Sequence, residues 1–270
     1  MIARIKKNEE LFSGYFLVDV EAEGIGRDKT GRSASPGQFY MLKVGLSTDP
    51  LLRRPLSLHR KLSDDSVRFL YRQAGRGTAL LSRLIPGDEV DVLGPLGNGF
   101  PIPAGIKHAL IVGGGIGIAP LMALADYVSG ERKDITAVAF IGGRSREYVL
   151  GAEEFREKGI ETFMATEDGS LGTMGLITHI LDEYINEHKH KGTGGWAIYS
   201  CGPHPMLISV AALAKKHGIK NYTSMESNMA CGIGACMGCV ISVLDREHGS
   251  SIYKKVCDDG PVFDAEDVVW

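Results

Sequence analysis

Apolar positions recur at every second residue early in the chain. Phe16, Val18 and Val20 mark a strand over 15–20 with one face buried. Similar short runs at 38–44, 55–60, 67–72 and 89–93 read as strands. Turn residues punctuate them, as in Ser35-Pro36-Gly37 and Pro86-Gly87-Asp88. Several short strands at this spacing predict a small antiparallel β-barrel over 1–100.

From about Pro101 the period changes. Strands at 109–112, 136–141, 162–165 and 197–200 alternate with helices near 121–127, 152–157, 176–188 and 205–217. Within 176–188 the residues Ile177, Ile180, Leu181, Tyr184 and Ile185 fall on one helical face, which must meet a sheet. Strands separated by helices imply a parallel sheet covered on both sides, so 101–222 reads as an α/β domain. The remaining residues, 223–270, form a small subdomain rich in cysteine and glycine. The fold class is therefore multidomain: β-barrel, α/β parallel-sheet domain and cysteine-bearing C-terminal subdomain.

Composition narrows the function classes. The 270 residues suffice for two hydrophobic cores, and 44% hydrophobic with 23% charged residues is ordinary for a globular chain. A formal net charge of -3 gives no reason to expect nucleic acid or an anionic membrane as partner. The N-terminus lacks the apolar run of a signal peptide, and no stretch of 18 apolar residues occurs, so a membrane span is not expected. Five cysteines, four of them needed as free thiolates, point to a reducing compartment, the cytoplasm.

Those four carry the sharpest chemistry. Cys231, Cys236, Cys239 and Cys257 follow the spacing C-x4-C-x2-C-x17-C. The first three match the opening of plant-type [2Fe–2S] ferredoxins, whose last ligand also arrives from farther along the chain. Gly232, Gly234 and Gly238 suit a loop that must aim N–H groups at sulfur through conformations a Cβ would obstruct. A structural zinc site or two disulfides are the competing readings, although zinc sites favour cysteines in pairs and Cys257 stands alone.

Two stretches of the barrel suit a flavin nucleotide. In Arg53-Arg54-Pro55-Leu56-Ser57 an arginine and a hydroxyl three residues apart lead into a strand, where they can grip a phosphate and a flavin edge. Ordinary surface charge is the other reading. Leu70-Tyr71-Arg72 is followed by Gly75-Arg76-Gly77-Thr78, a glycine-rich entry to a short helix that can receive a pyrophosphate or be a simple threonine cap.

In the α/β domain, Gly113-Gly114-Gly115-Ile116-Gly117-Ile118-Ala119-Pro120 turns from a strand into a helix. It misses the G-x-G-x-x-G fingerprint in either register, yet glycines there let dinucleotide phosphates approach the backbone; helix–strand packing is the alternative. Arg144 and Arg146 follow the next strand and can hold a ribose or adenosine phosphate, or lie on the surface. Cys201-Gly202-Pro203 ends the last strand of the domain, again on the ligand side.

These motifs occur in the order seen in the ferredoxin–NADP reductase superfamily. The stretches 225–239 and 256–263 closely resemble the electron-transfer subunits of class 1B dihydroorotate dehydrogenases, and the resemblance spans nearly the whole chain. It implies FAD in the barrel, NADH on the α/β domain and a [2Fe–2S] cluster on the four cysteines. Electrons would then pass to the FMN of a catalytic subunit that oxidises dihydroorotate in pyrimidine synthesis, in a heterotetramer of two of each. By position in the family, Arg54, Pro55, Leu56 and Ser57 meet FAD, with Arg54 on its phosphates and Ser57 on the flavin. Leu70, Tyr71 and Arg72 lie along it, and Gly77 and Thr78 lie under its pyrophosphate. Gly113, Gly114, Gly115, Gly117, Arg144, Cys201, Gly202 and Pro203 line the nicotinamide-nucleotide site.

Related subunits feed sulfide dehydrogenases, bifurcating transhydrogenases and some hydrogenases. In the first two, the family resemblance puts an aspartate ligand at the position of Cys231, so cysteine here favours dihydroorotate. From another class, a zinc-bound or redox-sensing interaction protein would treat both nucleotide regions as relics. The apolar tail Val262-Phe263 and Val268-Val269-Trp270 is expected either to touch a partner or to pack in a core.

Overall fold

The computed structural model describes residues 1–12, 14–45, 48–189 and 195–270. The chain divides into two compact units. One comprises Met1–Gly99, Glu226–Ser242 and Tyr253–Pro261; the other comprises Phe100–Met225, Val243–Ile252 and Val262–Trp270. Residues 226–270 are thus shared between them. No helix among the described residues is long and apolar enough to cross a membrane.

The first unit is built on β1 (Ile2–Phe12), β2 (Tyr15–Glu21), β3 (Phe39–Val44), β4 (Arg54–Lys61), β5 (Ser66–Arg72), α1 (Arg76–Leu81) and β6 (Glu89–Leu96). The six strands close into a barrel in the order β1-β2-β5-β4-β3-β6, with every neighbour antiparallel. Alternation explains the closure. On β5, Val67, Phe69 and Tyr71 fill the interior while Arg68 and Arg72 face outward. Val18, Val20, Tyr40, Leu42 and Phe69 are sealed from water, each stabilising the barrel by about 2 kcal/mol. Strand β1 was not foreseen. Only Ala3 and Ile5 of its eleven residues are buried, so its charged face hides the strand period.

The second unit begins with β7 (Ile106–Gly114), a short 3₁₀ turn over Gly115–Gly117, and α2 (Ile118–Glu131). It continues through β8 (Thr136–Gly143), α3 (Ala152–Glu157), β9 (Glu161–Thr166), β10 (Thr173–Met174), α4 (Ile177–His188), β11 (Gly195–Cys201), α5 (His204–His217) and β12 (Lys220–Ser224). Strands β13 (Val240–Asp245) and β14 (Ser250–Lys255) pair as a separate two-stranded sheet, and β15 (Val262–Asp264) completes the chain. The large sheet runs β10-β9-β8-β7-β11-β12-β15.

As the helical period required, Ile177, Leu181 and Ile185 of α4 are buried with Leu110, Val112, Val138 and Phe140 of the sheet, and Ile180 and Tyr184 pack against them. The sheet is parallel from β7 to β12 as expected, and β15, from the C-terminal segment, adds antiparallel to β12 through Tyr222–Asp264 and Ser224–Val262. Of the two readings of the apolar tail, core packing holds for Val262, Phe263 and Val268, which are buried, while Val269 is exposed and Trp270 Nε1 donates to the Ala265 carbonyl at 3.1 Å.

Candidate redox-cofactor sites

The cysteine loop is shaped around its sulfurs. Gly232 and Gly234 take φ of +74° and +80°, and Met237 takes +54°, conformations that reverse the chain tightly enough to turn N–H groups inward. Ile233 N–H approaches Cys231 Sγ at 3.5 Å, Gly234 N–H approaches Cys257 Sγ at 3.2 Å, and Cys257 N–H approaches Cys239 Sγ at 3.4 Å. The hairpin β13–β14 accounts for the long spacing. Cys239 precedes it and Cys257 follows it, and Val256 N–H donates to the Cys239 carbonyl at 2.9 Å, closing the ends together.

The thiols associate in two pairs. The Ile233 amide, with the Cys236 thiol and the Ala235 and Cys236 amides, draws Cys231 down to about 6. Burial, then the neighbouring Cys239 thiol, pushes Cys257 up to about 12. Cys239 and Cys257 are buried, Cys231 is half-buried and Cys236 is exposed; all five cysteines of the chain are free thiols. Two pairs of sulfurs with N–H donors aimed at them fit a centre of two irons, each taking two protein thiolates. A cation pair would also remove the like-charge cost of ionising Cys257 beside Cys239.

On the barrel, the adjacent arginines divide their work. Arg53 pairs with Asp91 through its side chain at 2.5 Å and the Asp91 carbonyl at 2.8 Å, and this hydrogen bond lowers the Asp91 pKa. Arg54 donates to the Leu52 and Arg53 carbonyls, and no carboxylate among the described residues pairs with it. Its guanidinium lies over Gly77, where a Cβ would come within 2.2 Å of Nε. The structure therefore brings Arg54 and the start of α1 together, with Ser57 farther along the same strand and no carboxylate among the described residues to neutralise that cation. That arrangement fits a flavin nucleotide phosphate.

Other residues of the predicted set are placed differently. The Thr78 hydroxyl is occupied locally: it accepts from the Ala74 and Gly75 amides at 2.9 and 3.1 Å and donates to the Gly75 carbonyl. It sits at the third position of α1, behind the cap residue Gly75, so the simple threonine N-cap does not occur. Tyr71 points into the barrel, where its hydroxyl donates to Asn8 Oδ1 at 3.0 Å and burial pushes its pKa up. Leu70 is covered, and Arg72 is exposed.

In the second unit, one sheet edge gathers the predicted nucleotide residues. Cys201 pairs with Gly113, and Gly114 with Gly142, so the carboxyl ends of β11, β7 and β8 lie side by side. Strand order reverses at β7, the position where open α/β sheets bind ligands. Arg144 emerges beside Gly142 and is exposed; Arg146 donates instead to the Ser170 carbonyl. Packing claims three of the four glycines. A Cβ on Gly113 would meet Ile118 Cδ1 at 2.7 Å, on Gly114 it would meet Met206 Sδ at 2.8 Å, and on Gly117 the Cys201 carbonyl at 2.5 Å. Gly115, at φ +54°, is open, and there a phosphate has room to approach the turn before α2. Cys201 is buried, Gly202 packs on Met206 and Gly114, and Pro203 is the N-cap of α5.

A closed antiparallel barrel, an α/β sheet with a glycine turn at its switch point, and a loop of four paired thiols define a ferredoxin reductase-type oxidoreductase extended by an iron–sulfur segment. The solved structure of an NADH-dependent reduced ferredoxin–NADP oxidoreductase shares this fold, with a TM-score of 0.81 over 100% of this chain and 90% of its own at 24% identity. Family models match residues 226–269 as the iron–sulfur cluster binding domain of dihydroorotate dehydrogenase B and residues 111–212 as an oxidoreductase NAD-binding domain. The dihydroorotate dehydrogenase B (NAD+) electron transfer subunit of Bacillus caldolyticus is 46% identical over 238 residues, 87% of this chain and 86% of its own. That of Geobacillus kaustophilus is 46% identical over 237 residues. The chain belongs to the family of dihydroorotate dehydrogenase B electron transfer subunits.

The site also holds residues outside the predicted set. Asn98, Lys255 and Asp258 bind the cysteine loops, and Met41 lies beneath Gly232. Asp258 falls within the stretch 256–263 that resembles the family, but nothing in the local pattern of Asn98, Lys255 or Met41 distinguishes them from surface or core.

Proposed function

We propose that this chain passes electrons between NAD(H), FAD and a [2Fe–2S] cluster to or from the FMN of a dihydroorotate dehydrogenase catalytic subunit, in pyrimidine synthesis. The observation that carries the reading is the loop of four paired thiols in a chain of this family. When bound, the flavin links the two-electron chemistry of a nicotinamide to the single electrons an iron–sulfur cluster carries. The chain's own residues bind and orient. Cys231 and Cys236 would hold one iron, Cys239 and Cys257 the other. Arg54, without an acidic partner, would take the FAD phosphates, and Ser57 the flavin edge. Pro55, Leu56, Leu70, Tyr71 and Arg72 would lie along the cofactor, with Gly77 and Thr78 under its pyrophosphate. Gly115 and the edge formed by Gly113, Gly114, Gly117, Arg144, Cys201, Gly202 and Pro203 would receive the nicotinamide nucleotide.

The functional division is 1–100 for FAD, 101–222 for NAD and 223–270 for the cluster. NADH rather than NADPH is supported by the relatives, which are named as NAD+-dependent. Cys236 is an exposed ligand flanked by exposed Ile233 and Met237, the surface through which the FMN subunit would draw electrons in a complex of two copies of each chain. Five free thiols support a cytoplasmic setting.

Purification of the chain from its own cell tests the reading. The expected product is a brown-yellow complex with an FMN-bearing dihydroorotate dehydrogenase, containing equimolar FAD and two irons per copy of this chain. A colourless protein, or another redox enzyme as partner, contradicts it.

A further inference from the structure

The two stretches that carry the cysteines are fixed to the barrel at separate points. Strand β3 pairs with β4 so that Met41 lies opposite Pro55, inside the Arg54–Ser57 segment. The first cysteine stretch rests on this strand: a Cβ on Gly232 would lie 2.5 Å from Met41 Cγ and 2.8 Å from its Sδ. The second stretch, holding Cys257, is held just beyond β6 by Asn98. The Asn98 main-chain N–H donates to the Gly260 carbonyl at 2.7 Å. Its side-chain amide donates to the Asp258 and Asp259 carbonyls at 3.0 and 3.1 Å. Gly97 permits the approach, since a Cβ there would meet the Gly260 carbonyl and Pro261 Cδ, each at 2.7 Å.

The Cys257 turn is well suited to be held this way. The amides of Asp258, Asp259 and Gly260 all point at the Lys255 carbonyl, which leaves successive carbonyls directed outward. A neutral amide of this length offers two protons on one nitrogen to two such acceptors. A carboxylate at the same place would face them with lone pairs only. Asn98 itself is solvent-exposed, so replacing it opens no cavity and strands no buried group.

We propose that Asn98 is a positioning residue for the iron–sulfur centre. It locks the turn bearing Cys257 onto the barrel that carries Arg54 and Ser57, and so sets where the fourth thiolate stands relative to the other three. The proposal rests on the cluster reading above. That turn also supplies the N–H to Cys239 Sγ and accepts one from Gly234 at Cys257 Sγ, so its displacement alters hydrogen bonding to two ligand sulfurs, a determinant of cluster potential.

Asn98→Ala and Asn98→Asp in the full chain, bound to its partner, test this. FAD content and the flavin midpoint potential should stay at the parent values in both variants. Iron release to a chelator should rise at least about fivefold in Asn98→Ala, the factor for one of the two side-chain hydrogen bonds it removes, and further in Asn98→Asp. The reduced-cluster EPR line and midpoint potential should shift with it. Parent-like iron release and EPR in both variants would overturn the proposal. So would loss of FAD in parallel with iron, because Asn98 would then support the barrel as a whole. A parent preparation without iron and sulfide would instead overturn the cluster reading, and this proposal with it.

Discussion

Arg53 and Arg54 show how little a residue's type says about its role. Both stand before the same proline, yet Arg53 is paired with Asp91, and among the described residues the hydrogen-bond partners of Arg54 are carbonyl oxygens. An arginine satisfied by a carboxylate is scaffold; one without an acidic partner can bind phosphate. The cysteines differ in the same manner. Cys239 and Cys257 are buried, whereas Cys236 is exposed and, among the described residues, receives no main-chain donor comparable to the Ile233 amide at Cys231. Cys236→Ser should therefore remove the cluster's visible absorbance, since an alcohol is a poor iron ligand near neutral pH, while the barrel keeps its FAD and NADH still bleaches the flavin band. Retained cluster absorbance would show that Cys236 is not a ligand.

Elements were legible where a hydrophobic period survived. Helix α4 and strands β2 and β5 carry a plain stripe or alternation, and their bounds follow the pattern closely. Others carry none. β1 is mostly charged, β12 buries Asn221, Thr223 and Ser224, and β15 has three residues. The cysteine spacing was legible, but its cause was not: the 17 residues between Cys239 and Cys257 contain the hairpin β13–β14 that returns the chain. The glycine turn was half legible, since adjacent glycines look alike in sequence although Gly113, Gly114 and Gly117 serve packing and Gly115 is open.

Charge adds a test at this scale. Asp182 of α4 accepts from His217 Nε2 at 2.6 Å and Lys216 Nζ at 2.8 Å at the end of α5, and these bonds, His217 first, hold its pKa below the usual 3.8. A depressed carboxyl pKa stabilises the fold above its unfolded value, and that stability is lost as pH falls through the folded value. Asp182→Asn should lower the Tm at neutral pH by an amount equivalent to about 1 kcal/mol at most. The difference from the parent should shrink below about pH 4. A deficit independent of pH would assign the effect to packing instead.

The whole molecule combines a barrel suited to a flavin nucleotide, a sheet edge suited to a nicotinamide nucleotide and a thiol loop suited to a two-iron cluster. The sequence order of these parts already resembles the family to which the chain belongs. The relatives are named electron transfer subunits, which leaves the oxidation of dihydroorotate to a catalytic partner. The most direct measurement is dihydroorotate-dependent reduction of NAD+ by the purified holo-chain, alone and after addition of an FMN-containing dihydroorotate dehydrogenase subunit. No NADH should form from the chain alone, and sustained NADH formation should follow mixing. Turnover of dihydroorotate by this chain without the partner, or none in the assembled complex, would contradict the account.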